Sequence, residues 1–450
     1  MSLLNKIFGR GQKRLFILGI DGLGLEMAQQ LAEAQVMPNL GGILQRGATV
    51  RMETVIPTLS RVAWPTFATG VNPGKHGIFG FVDRKPNPFQ VLIPDAKDLK
   101  SPTLWELMSR AGKKVGVMNV PLTYPPRQVS GFMVAGYASP DLAGATYPVE
   151  LAPRLMELDY QLDADTTLAA EDTVAFLEDL GQCLGKRFSA CFQLMHSEPW
   201  DLFQLNITAT DRINHFLWAD YEEGEGGLAE DFRAFYRKLD SYLGELIQQL
   251  PAGCRLALVS CFGFTRSQAH LYVNHWLEEN GYLLFGRGKK GLLNMHPESK
   301  AYSLVPGRVF INLQGREENG SVSRGHPYEE LRDELIHRLG GLRHPETDQP
   351  LIKGVYKREM LYTGNQLSKA ADLIIDPVPG IELKANLDGP GLLGPPQMSG
   401  MHTRQGAFFH LDGIKSLEAE TEITILDLAP TFFSLLGLEP PPNLEGRPLV

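Results

Sequence analysis

The chain has 450 residues, 43% of them hydrophobic, and carries 43 Lys and Arg against 52 Asp and Glu, a formal net charge of −9. That length and apolar fraction exclude a globally disordered chain and allow two or three domains or one large α/β unit. The acidic balance excludes nucleic acid as the main partner, because such binding rests on clustered Lys and Arg neutralising phosphates; a small-molecule enzyme fits better.

Residues 1–14, MSLLNKIFGRGQKR, read as a flexible basic leader, and the apolar run behind it is too short for a signal-peptide core. Residues 14–20, RLFILGI, form a continuous apolar run closed by DGLG, the pattern of a strand buried on both faces of a parallel sheet. Helical spacing follows over residues 25–45. Similar strand-like runs recur at KKVGVMNV (113–120), WDLFQLNIT (200–208) and CRLALVSCF (254–262), with helical stretches at 104–111 and 228–250. Strands alternating with helices predict an α/β fold: a doubly wound, mostly parallel sheet with helices on both faces.

From Gly286 the texture turns to Gly, Lys, Asn and Pro, followed by the helical YEELRDELIHRLGGL (328–342). Residues 15–285 are therefore read as the α/β core, 286–370 as an inserted cap-like region, and 371–450 as the return to the core. The chain closes with TILDLAPTFFSLLGL, read as a C-terminal helix. Cys183, Cys191, Cys254 and Cys261 show neither CxxC spacing nor the density of a disulfide framework, which predicts a reducing compartment, the cytoplasm. No run approaches the roughly 20 apolar residues of a spanning helix.

In such sheets ligands bind beyond the carboxyl ends of the strands. Asp21 follows the first strand directly, either as a cation ligand or as a turn residue before Gly22. The surrounding GIDGLG matches a dinucleotide loop poorly, and an Asp inside it would repel a pyrophosphate. In PTLSRVAWPTFATGVNPGKHGIFGF (57–81), a hydroxyl at Ser60 or Thr58 sits where a helix start can receive a phosphate oxygen, or simply caps that helix. Pro65 places the helix start near Trp64, with Ser60 in the loop ahead of it. NITATDRINHFLW supplies Asp211 and His215, whose spacing of four puts both on one helix face, as a shared metal site or a surface pair. SGMHTRQGAFF adds His402 in a Gly-bounded loop.

Taken together, ILGIDGLG, PTLSRVAWPTFATGVNPGKHGIFGF, ATDRINHFLW, AYSLVPGRVFINLQGRE and GMHTRQGAFF resemble the alkaline phosphatase superfamily. The resemblance lies with its type I phosphodiesterase/nucleotide pyrophosphatase branch, especially bacterial predicted phosphohydrolases and phosphomutase-like proteins. The order and spacing of all five segments carry it, over about residues 14–450. It implies a two-metal site, usually zinc, in which a metal-bound Ser or Thr attacks phosphorus and a covalent phosphoryl-enzyme is then released by water. By motif, Ser60 falls on the nucleophile, while Asp211, His215 and His402 fall on the ligands of one metal. Asp21 falls on a ligand of the other metal, the one that also holds the nucleophile.

That second metal takes an Asp-His pair in the family, where this chain reads Ser260-Cys261-Phe262-Gly263. A Cys261 thiolate is a possible zinc ligand, but Phe262 binds no metal, so a loop residue such as His270 would have to complete the site. The other reading is that Cys261 and Phe262 pack as core residues. Loss of one Lewis acid removes several kcal/mol of transition-state stabilisation, roughly a hundredfold to ten-thousandfold in rate. The expectation is a metal-dependent phosphohydrolase-like protein acting through Ser60 on a phosphorylated small molecule or phosphodiester. It would hold one divalent ion rather than two, zinc first, with manganese or iron also suiting Asp/His/His ligands, and its activity would be weak or lost. The alternative is a non-catalytic member of the fold that binds a phosphorylated ligand or a protein partner. Arg316, in GRVFINLQGRE, is expected to meet a phosphate or a neighbouring acid.

Overall fold

The structure, a computed structural model, describes residues 13–286, 288, 290–417 and 422–450. The first twelve residues of the basic leader therefore lie outside the described residues. The chain divides into two compact units: one takes residues up to Val71, Asp95–Phe264 and His402–Val450, the other Asn72–Pro94 and Thr265–Met401.

The first unit is built on a nine-stranded sheet. Its strands run in the order Ile423–Thr424, Gly47–Glu53, Phe408–Asp412, Arg255–Ser260, Leu15–Ile20, Leu202–Ile207, Val115–Met118, Gly131–Val134 and Thr146–Tyr147. The five strands from Arg255–Ser260 to Gly131–Val134 pair in parallel, as the apolar runs predict. Every residue of Leu15–Ile20 and Leu202–Ile207 is buried, because helices cover both faces of the sheet centre. Phe408–Asp412 pairs antiparallel with both of its neighbours, so the sheet is mixed, an α/β arrangement of alkaline-phosphatase type. The helical stretch at 25–45 is two helices, Leu25–Glu33 and Pro38–Gln45. Gln35 takes a left-handed φ of 59° between them, and Pro38 opens the second helix at a position where its missing N–H costs nothing.

Three glycines meet beyond the carboxyl ends of the central strands. A Cβ on Gly406 would stand 3.2 Å from the Gly263 Cα and 3.3 Å from the Gly24 Cα, and the Leu25 N–H donates to the Gly406 carbonyl at 2.9 Å. Three loops thus touch main chain to main chain there.

The second unit has its own apolar core, around Tyr302, Phe310, Leu335 and Leu373. A four-stranded antiparallel sheet runs Ala301–Leu304, Arg308–Ile311, Leu373–Pro377, Ile352–Lys357, and a three-stranded one runs Ile381–Lys384, Ala269–Tyr272, Leu393–Gly394. These pairings set the limits of the unit wider than the 286–370 expected from texture. Leu373–Pro377, expected to return to the first core, instead lies between Arg308–Ile311 and Ile352–Lys357. Arg316 meets acids: it grips Asp372 with both Nη atoms, at 2.8 and 2.6 Å, and donates Nε to Glu317 at 2.9 Å. Among the described residues no helix is long and apolar enough to cross a membrane.

Candidate active site

Asp21 stands in the turn after Leu15–Ile20, and the start of the helix Ala209–Glu223 holds that turn in place. The Asp21 N–H donates to the Ile207 carbonyl at 3.0 Å, its own carbonyl accepts the Thr210 hydroxyl at 2.6 Å, and the Gly22 carbonyl accepts Asn214 Nδ2 at 3.0 Å. Gly22 has a φ of 78°, and a Cβ there would come within 2.5 Å of the Phe264 ring, so the turn requires glycine. The carboxylate accepts the Ser60 hydroxyl at 3.1 Å and the Trp64 indole N–H at 3.0 Å. Burial, followed by the negative charge of Asp211, pushes the Asp21 carboxyl up to about 7, against the opposing pull of Trp64, His402 and Ser60.

Ser60 is the first residue of the helix Ser60–Thr69, with Leu59 as its cap, which corrects the expectation that the helix begins near Trp64. Pro65 lies inside and forfeits the hydrogen bond to the Arg61 carbonyl. The helix forms regardless because all ten of its residues are buried, and the apolar contacts outweigh one lost bond. Val62 and Ala63 make the first intrahelical bonds, both to the Leu59 carbonyl at 2.9 and 2.8 Å. The Ser60 and Arg61 N–H groups thus lie outside the helical ladder, at the positive end of the helix.

Asp211, His215 and His402 come together. Their ligand atoms all lie within 4.8 Å of one another, the one such cluster of three or more His, Cys, Asp or Glu among the described residues. His402 Nε2 lies 2.7 Å from Asp211 Oδ1, and His215 Nε2 lies 3.7 Å from the same oxygen. His402 belongs to the short strand Gly400–Thr403 rather than to an irregular loop, and its Nδ1 stands 3.3 Å from the Thr58 carbonyl. Burial alone would raise the Asp211 carboxyl, but His215, His402 and Arg212 outweigh it and hold the group far below its ordinary value. Burial likewise works against a charged His402, and Asp211 overrides it and raises the imidazole. A carboxylate and two imidazoles converging this closely fit a single divalent cation.

Packed side chains fill positions 261 and 262, where the resemblance implies an Asp-His pair. Cys261 and Phe262 are both 0% exposed, and the Phe262 ring stacks on His402 with centroids 4.0 Å apart and planes at 27°. Burial and the nearby Asp21 charge raise the Cys261 thiol well above its usual range, so it stays protonated. The donors on this side are Asp21 and Ser60, hydrogen-bonded to each other, beside the buried Cys261, and Phe262 adds none, so this side offers a poorer ligand set than the Asp211 cluster. His270 pairs within the second unit with Glu382, at 3.0 Å.

Three neighbours escaped sequence reasoning. Trp64 lies one helical turn after Ser60, a spacing that could have revealed it. Phe264 packs edge-on against both His215 and His402, at 4.9 Å each, and strand alternation from Phe262 was its only signal. Arg212 bridges Asp211 and Asp163 at 2.7 Å each and covers the Tyr137 ring at 4.8 Å; its carboxylate partner at 163 is remote in sequence.

The fold recurs in solved structures. Phosphonoacetate hydrolase from Sinorhizobium meliloti in complex with phosphonoacetate is 18% identical, with 95% of each chain covered and a TM-score of 0.62. Human ectonucleotide pyrophosphatase/phosphodiesterase 5 is 15% identical, with 96% of this chain and 97% of that chain covered and a TM-score of 0.57. The murine form in complex with AMP is 15% identical, with 96% of each chain covered and a TM-score of 0.58. Residues 15–405 match the family described as type I phosphodiesterase/nucleotide pyrophosphatase. The chain belongs to that family of metal-dependent phosphoesterases.

Proposed function

We propose that the site binds a phosphate monoester or diester beside one divalent cation held by Asp211, His215 and His402, and that chemistry through Ser60 is slowed or lost because the second cation site has degraded. The observation that carries this reading is Phe262, fully buried and stacked on His402 where the family has a ligand. A cation in the Asp211 cluster would polarise a phosphoryl oxygen. Ser60 Oγ is the nucleophile in this reading, and its hydroxyl donates to Asp21 Oδ2, the group placed to take its proton. The positive end of the Ser60 helix would favour a second phosphoryl oxygen. Without the second Lewis acid, turnover falls roughly a hundredfold to ten-thousandfold below an intact two-cation site. Zinc is the first choice of ion, with manganese and iron next. The four free thiols, Cys183, Cys191, Cys254 and Cys261, support a reducing compartment such as the cytoplasm.

Metal content and hydrolysis of a chromogenic phosphodiester, measured on the purified chain, test the reading. We expect one ion per chain, lost in His402→Ala, and slow hydrolysis abolished by Ser60→Ala. Hydrolysis unchanged in Ser60→Ala would overturn the nucleophile, and an ion retained by His402→Ala would overturn the cluster. One ion with no hydrolysis at all would favour the second reading, a member of the fold that binds a phosphorylated ligand without turning it over, which Phe262 equally supports.

A further inference from the structure

The second unit holds a cleft of about 550 Å³ with no acidic residue in its lining, and Arg84, Lys85, Arg316, Arg324, Arg358 and Lys369 face it. Such a volume suits a small-molecule ligand. The charges there divide into two sets. Arg316 is occupied by Asp372 and Glu317, and Arg358 by Asp372 at 3.3 Å and Glu359 at 3.0 Å. Arg84 lends one Nη to Glu317 at 2.7 Å while its guanidinium lies 4.0 Å over the Phe310 ring. These pairs fix one wall.

Lys85, Arg324 and Lys369 make up the other set. Arg324 reaches only backbone carbonyls, those of Gln314 at 3.1 Å and Gly315 at 3.2 Å, and neither lysine forms an ion pair among the described residues. Arg84 adds an independent sign: the residue is 9% exposed and its buried Nε has no hydrogen-bond partner. A buried donor left unmatched is costly, and like charges gathered in a concavity repel one another unless an anion lies between them. In a chain of net charge −9, this local excess of cations runs against the overall balance.

We propose that this cleft is an anion-binding site for a small molecule bearing two or more phosphoryl groups, separate from the Asp211 cluster and independent of how that cluster works. Three cations, of which only Lys369 senses an acid, Asp83, exceed what one phosphoryl group neutralises, and two such groups meet them. Lys85 and Lys369 act as point charges, whereas Arg324 presents a planar donor and Arg84 adds its charge from the wall.

The test is calorimetric titration of the full chain with inorganic pyrophosphate in the presence of a chelator, with orthophosphate as the comparison. We expect one pyrophosphate per chain, bound at least about tenfold more tightly than orthophosphate and weakening as salt rises. Lys85→Gln, Arg324→Ala and Lys369→Gln should each weaken it about tenfold or more. These side chains are exposed and form no ion pair within 4.0 Å among the described residues, Lys369 having only the longer-range charge of Asp83 near it, so the variants should fold, and an unchanged unfolding midpoint checks this. His402→Ala should leave pyrophosphate binding as it is. The proposal is overturned if the native chain binds no pyrophosphate, if orthophosphate binds as tightly, if Lys85→Gln, Arg324→Ala and Lys369→Gln together in one chain leave binding as it is, or if His402→Ala abolishes binding.

Discussion

Restoring the family's ligand pair by Cys261→Asp/Phe262→His should lower stability without metal and raise it with metal, by amounts set by the present packing. Asp21, equally enclosed, is pushed up to about 7, which at about 1.4 kcal/mol per tenfold amounts to about 4 kcal/mol against its ionised form. A carboxylate at position 261 enters the same surroundings and faces Asp21 as a like charge, so it bears at least that cost. Replacing the fully buried Phe262 ring with an imidazole removes roughly 2 kcal/mol of apolar burial. In EDTA the double variant should therefore be at least roughly 6 kcal/mol less stable than the native chain. Each cation site filled at a hundredfold excess over its Kd returns about 2.7 kcal/mol. Zinc should thus stabilise the variant about twice as much as the native protein. Urea unfolding with EDTA and with zinc, alongside metal content per chain, reads both effects. A variant as stable as the native chain in EDTA, or one that still holds a single ion, would refute the reasoning.

Two further predictions concern the scaffold. His76 is fully buried, with Nδ1 accepting the Ile78 N–H at 3.2 Å, and burial holds its imidazole down at about 3. Its folded form excludes a proton that the unfolded chain takes up near pH 6.5, so its contribution is complete above that pH. It is lost as the pH falls towards 3, at about 1.4 kcal/mol per pH unit. In His76→Gln, unfolding followed across this window should lose that part of the acid slope, and an unchanged slope would contradict the assignment. For Gly19→Ala, the added Cβ would lie 2.5 Å from both Asn206 Oδ1 and the Trp64 Cη2, and chemical denaturation should show a loss of about 1–3 kcal/mol. Equal midpoints would mean that Trp64 can move away from Asp21 without cost.

The central sheet was legible because strands buried on both faces are written as uninterrupted apolar runs, and RLFILGI and CRLALVSCF have no competing interpretation. The break at Gln35 was not, since helical spacing continues across it and only the φ reverses. Pro65 misled for the opposite reason: a local rule gave way to the complete burial of its helix. The limits of the second unit depend on strand pairing between distant segments, which texture does not encode. Asp211 and His215 could be seen from their spacing, whereas His402 joins them from 187 residues further along the chain and became visible only through the resemblance. The stacking of Phe262 on His402 had no sequence signal beyond the absence of an expected ligand.

The meeting of Gly24, Gly263 and Gly406 bears on what holds the site together. The loops that follow Asp21, follow Phe262 and follow His402 are held together there by bare main chain, so their mutual placement does not depend on a cation to bridge them. In a site whose loops were tied together by the ion itself, loss of a ligand would let the loops drift and the remaining ligands would scatter. Here Cys261 and Phe262 are packed where the proposed reading expects a ligand pair, while Asp21, Ser60 and the Asp211 cluster stand on the same loops. On the proposed reading, a second cation would call for two different side chains and no rearrangement of this main chain.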